Sequence, residues 1–216
     1  MQLERLFGRS ANLRSDVLQI IDLPLYGKDS RQRTCALLCS LSLEHTDGVL
    51  FLLAQGMLSS ALVLHRAQFE STLRGIWALY GATVEQVQKL SAELEPSAEQ
   101  AAKNLPGIKE MLSVLAKKGP PQAYESLQEF ALYNLKALNS YTHAGLHPLR
   151  LQEQNIPSSL LVETAKNANG VAMLAAMQLA ILTGVPGLQG AVLAVGERYS
   201  DVLRWKTEDN STALDA

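Results

Sequence analysis

The sequence predicts an all-α helical bundle, on three observations. Apolar residues recur at helical spacing, as in Leu37, Leu38, Leu41, Val49, Leu52 and Leu53. Short alternating patterns of the kind that make strands are nearly absent. The apolar segments are separated by short turns, an arrangement that lets helices bury their stripes against one another. At 216 residues the chain is long enough for one sizeable core. It reads as a single domain over 1–216, with a core at about 30–81 and 121–206 and a peripheral insert at 82–120.

Taken in order, a short helix is expected from Asn12 to Ile21, closed by "DLPLYGKDS". Asp29 or Ser30 then caps a long helix, which ends or bends between Gln55 and Ser60. The next, in "SSALVLHRAQFESTLRGIWALYG", has a broad apolar face of Leu58, Leu62, Phe69, Leu73, Ile76 and Tyr80. From Ala82 to Pro121 the chain turns polar and proline-punctuated. It reads there as two or three short helices outside the core, or as a flexible arm. Prolines suit the start of another helix from Gln122 to about Tyr141, and Ser158 or Ser159 is the expected cap of a long one running toward "AILTG". "GLQGAVLAVGERYSDVLRWK" supplies the last, and "TEDNSTALDA" is read as a frayed tail.

Hydrophobic residues make up 47% and charged residues 19%, with a formal net charge of -2. Nothing in that balance draws the whole chain toward nucleic acid or an anionic membrane, so any such patch has to be local. Two uncharged runs, Gly48 to Leu64 and Ala168 to Gly196, are short or broken by "TGVPGLQG", which favours buried helices over membrane spans. Cys35 and Cys39 share one helix face and suit burial, and no metal-ligand set or cofactor motif is present. The expected location is cytoplasmic, with no membrane association.

Candidate chemistry concentrates in "ALYNLKALNSYTHAGLHPLR". Lys136, Ser140 and His143 fall at i, i+4 and i+7, on one stripe of a helix that Gly145 is placed to end, with His147 just beyond. Imidazole both takes and gives a proton near neutral pH, a cation steadies phosphoryl charge, and Asn139 or Tyr141 can hold a substrate or orient the histidine. These histidines also suit a purely structural place at a helix C-terminus. A second group is "HRAQFESTLRG". Arg66, Glu70 and Arg74 lie four apart, so one carboxylate can bridge two guanidiniums, as a structural clamp or as the cationic wall of a site. His65, on the apolar side of that helix, reads as structural. His45 beside Asp47 reads as a polar bend.

Together, "ALVLHRAQFESTLRGIWALY" and "LYNLKALNSYTHAG" resemble a group of uncharacterised bacterial helical proteins related, more distantly, to the HEPN superfamily of nucleotide- and RNA-associated bundles. The resemblance covers about Thr34 to Leu146 and implies a HEPN-like bundle. Active HEPN members are metal-independent endoribonucleases that work as dimers, with an arginine followed a few residues on by a histidine near a helix end. The resemblance places His143 at the histidine. Lys136 stands where arginine is usual and Ala137 where a polar residue is usual, giving a point charge in place of a two-pronged fork. Arg66 or Arg74 is then the candidate source of the missing guanidinium.

Three readings stay open. The protein is a nucleotide- or RNA-associated binding protein, a metal-independent endoribonuclease using His143, Lys136 and Arg66 or Arg74, or a non-catalytic assembly protein with a protein partner. A homodimer is expected in each case. The two uncharged runs lack a polar stripe, and Ala172, Ala175, Ala176 and Ala180 look like a smooth face for a partner's helix.

Overall fold

The computed structural model describes residues 2–93, 95–96, 100, 104–153 and 156–204, and among them the chain is all-α. Helix α1 spans Gln2–Ile21, α2 Ser30–Ala54, α3 Leu58–Tyr80 and α4 Val84–Ser91. Then come α5 (Ile108–Lys118), α6 (Pro121–Thr142), α7 (Leu146–Glu153), α8 (Ser158–Leu182) and α9 (Leu188–Arg198), with a 3₁₀ turn at Ser200–Val202. The expected tail, "TEDNSTALDA", lies outside the described residues.

The centre is the antiparallel hairpin of α2 and α3. Asp29 caps α2, its carboxylate accepting from the N–H groups of Arg31 and Gln32 at 2.9 and 3.0 Å. Gly56, at φ 71, makes the reversal that a side chain would resist. The two helices approach closely at Gly75, where an added Cβ would sit 3.2 Å from Leu38 Cβ and 3.3 Å from the Cys35 carbonyl. At the far end the guanidinium of Arg31 donates to the carbonyls of Ala78 and Ala82, satisfying the open end of α3. We expect Arg31→Met to cost about 2 kcal/mol, because a charged donor is lost from carbonyls that are then unpaired. Chemical denaturation of the two proteins measures it, and Arg31→Lys should recover only part, since an ammonium lacks the fork.

Helix α8 lies across both, and α1 and α9 close its other side. Asn169 Nδ2 donates to Ser10 Oγ (2.8 Å) and to the Val202 carbonyl (2.9 Å), tying the two chain ends together through the core. Helix α1 begins well before Asn12 because Leu6, Leu13, Val17 and Ile21 form one continuous buried stripe through the polar start. By length and composition, α2 is apolar enough to cross a membrane; here it packs along α3 and α8.

Two expectations are corrected. The segment at 82–120 was expected outside the core, yet Val87, Met111, Leu112 and Leu115 are buried against Phe69, Leu73, Ile76 and Trp77 in a second apolar cluster. Short amphipathic helices there bury one face under a polar sequence average. The alanines of α8 do not form an outer face. Ala168, Ala172, Ala175, Ala176 and Ala180 are buried, and their small side chains sit within the chain's own core cluster.

Candidate functional site

Helix α3 carries the cationic row. Arg66 and Arg74 each donate to one oxygen of Glu70 at 2.6 Å, so the carboxylate bridges both guanidiniums. Arg66 Nε also donates to Asn139 Oδ1 at 2.6 Å, which fastens α3 to the last turn of α6. Burial pushes the Glu70 carboxyl up, but the hydrogen bonds and charges of Arg74 and Arg66 outweigh it and hold its pKa below the ordinary 4.5. A depressed carboxylate stabilises the fold fully above pH 4.5, and that contribution is lost as pH falls through the folded value. The three side chains are 22–28% exposed, so solvent screens the row. Glu70→Gln is therefore expected to cost only about 1–2 kcal/mol at pH 7, and progressively less as pH falls below 4.5, read from urea melts across that range.

The other predicted residues are placed differently. Lys136 is exposed on α6, and His143 is the exposed C-cap of that helix, its backbone N–H donating to the Asn139 carbonyl at 3.1 Å. Among the described residues neither side chain has a hydrogen-bonded partner. Tyr141 is partly buried, and its ring faces that of exposed His147 at 6.2 Å. The left-handed residue that ends α6 is Ala144 (φ 51), not Gly145. A Cβ on Gly145 would come within 2.6 Å of Ser140 Oγ, which accepts from the His147 N–H, so the glycine is needed for space. The structure thus joins Arg66, Glu70, Arg74 and Asn139, and leaves Lys136, His143 and His147 around them on the surface.

Below the row lies a buried polar chain. Gln68 Nε2 donates to Thr46 Oγ1 and to the Ala168 carbonyl, both at 2.8 Å, which fixes its Oε1 as acceptor for His65 Nδ1 at 2.7 Å. Helices α2, α3 and α8 meet in this one amide. His65 then carries its proton on Nδ1, and its buried Nε2 has no partner among the described residues. Burial lowers its pKa to about 4, against the opposing bond to Gln68. The Cys35 thiol, hydrogen-bonded to Cys39 and buried, is held above the usual thiol range and is no ready nucleophile. No group of three metal-ligating side chains converges among the described residues.

A second opening lies on the other side of α6. Helices α6 and α8 both lean on α3, and Asn167 Nδ2 bridges them by donating to Asn134 Oδ1 at 3.3 Å. Beside that bridge runs an open groove of about 870 Å³. Its floor is Val171, Leu174, Met173, Met177 and Ile181 of α8, and its walls are Phe130 and Tyr133 of α6 and Leu193 of α9. Phe130 stands between groove and core, stacked on Phe69 at 4.3 Å and edge-on to His65 at 5.1 Å. Sequence reading missed the groove. Its one signal was the stretch from Gly170 to Ile181 of α8, where Gln178 is the one polar side chain, more apolar surface than a single core face needs.

The sequence profile of a family of unknown function, DUF6988, matches residues 39–205, which takes in α3, the end of α6 and the groove helices. The chain belongs to the DUF6988 family. No curated protein and no solved structure matches it. In this DUF6988 protein the match spans both the Arg66–Glu70–Arg74 row and the apolar groove, and so favours neither over the other.

Proposed function

We propose that the protein is a binding module whose groove receives an amphipathic helix from a protein partner. The observation that carries this is the shape of the open face. Val171, Leu174, Met177 and Ile181 repeat at helical spacing along a floor about 15 Å long, flanked by α6 and α9 as a bundle helix would be flanked. Methionine floors adapt to varied apolar partners. Catalysis is not supported by the placement of His143 and Lys136, since no described side chain orients either group.

A neutral apolar dye, Nile red, tests whether the groove is open. The wild-type protein is expected to enhance its fluorescence saturably, while Met177→Lys and the exposed Leu193→Glu should abolish the signal with unchanged helical circular dichroism. Saturable enhancement that survives both substitutions would refute the site.

A second reading, binding of a nucleotide or RNA, rests on one observation. Arg66 and Arg74 keep guanidinium donors beyond those spent on Glu70 and Asn139, beside exposed Lys136 and His143. Kinship with the HEPN superfamily and endoribonuclease activity belong to this reading. Mixed RNAs incubated with the protein in chelator decide it. Cleavage lost in His143→Ala supports the nuclease, salt-sensitive retention without cleavage supports binding, and neither outcome leaves the row a structural clamp.

A further inference from the structure

The outward face of α2 carries a pattern that matches itself when reversed. Arg33, Leu37, Ser40, Leu41 and Glu44 are all exposed, and Leu37 and Leu41 expose 62% and 38% of their surface. Among the described residues the side chains of Arg33 and Glu44 have no ionic partner. The stripe reads basic, apolar, small, apolar, acidic along successive turns. In an antiparallel pair of such helices with the two-fold axis between Leu38 and Cys39, position 33 of one faces position 44 of the other, and position 37 faces 40 and 41. Arg33 meets Glu44 twice, and Leu37 packs over Ser40 and against Leu41 twice.

We infer that two copies of the chain associate through this face of α2, as an antiparallel helix pair related by a two-fold axis. A two-fold interface uses one patch twice, so the patch has to be self-complementary. Charge decides the occupant. An unrelated apolar partner would not require a basic end and an acidic end on opposite sides of the same leucine pair, equally far from one midpoint, and a second copy does. A parallel pair would set Arg33 against Arg33 and Glu44 against Glu44, and the repulsion excludes that orientation. One helix stripe is a small contact, so the dimer is reversible and weakens as salt screens its two ion pairs. This association is independent of the groove, which lies on the far side of α8.

Sedimentation equilibrium from low to high micromolar protein tests it. Wild-type protein is expected to pass reversibly from monomer to dimer. Arg33→Glu and Glu44→Arg should each weaken dimerisation about tenfold or more by opposing like charges, and the double exchange R33E/E44R should return it close to wild type. Leu37→Lys removes the apolar centre and should leave monomer. All these positions are exposed, so the variants are expected to keep wild-type circular dichroism. A wild-type monomer throughout would overturn the inference, and sedimentation of that monomer with anionic phospholipid vesicles would assign the face to a membrane. A dimer indifferent to the single reversals, or one the double exchange fails to restore, would overturn it equally.

Discussion

Gln68→Ala is expected to destabilise the protein by about 3–5 kcal/mol, among the largest effects available to one side chain. Gln68 is fully buried, and its removal strands the His65 Nδ1–H without an acceptor and takes a donor from Thr46 Oγ1 and from the Ala168 carbonyl, so three helices lose their shared amide. Gln68→Met separates hydrogen bonding from volume. Methionine fills nearly the same space, so a packing role predicts a loss under about 1.5 kcal/mol. The polar account predicts a loss close to that of alanine. Urea denaturation at pH 7 tells them apart.

His65 should make the fold acid-sensitive in a defined window. Its folded pKa is lowered to about 4 from 6.5. Above pH 6.5 the imidazole is neutral in both states and contributes no pH dependence. As pH falls below 6.5 the unfolded chain takes up a proton that the folded chain refuses, so stability drops. The loss approaches about 3 kcal/mol near pH 4 and then levels off. Glu70 adds its own loss only below pH 4.5. The interval from 6.5 to 4.5 therefore isolates the histidine. Melts across it should show a slope that His65→Met removes; a slope unchanged by that substitution would mean the proton is taken up elsewhere.

How much of this was legible in the sequence follows from how local each feature is. The Asp29 cap, the hairpin and the Arg66–Glu70–Arg74 row are set by spacings of a few residues, and each stands where its spacing put it. The Asn139 bond to Arg66 spans two helices, and only their packing brings it about. The early start of α1 is masked by the charged residues among its first turns, although Leu6, Leu13, Val17 and Ile21 mark one continuous stripe. In the segment at 82–120 the polar average hid Met111 and Leu115. The groove was least legible. It exists because α6 and α8 share α3 as a neighbour while standing apart, and no residue pattern states a distance between helices.

The central claim, that the groove holds a partner's helix, is tested most directly by photo-cross-linking inside cells that make the protein. A benzophenone amino acid at Tyr133 on one wall, or at Leu193 on the other, would report what lies between them. Both positions are exposed and line the groove. Both probes are expected to capture the same protein, at a segment with apolar residues at helical spacing. The adduct should disappear when Met177→Lys is added. Different adducts from the two walls, or one that persists with lysine on the groove floor, would contradict it.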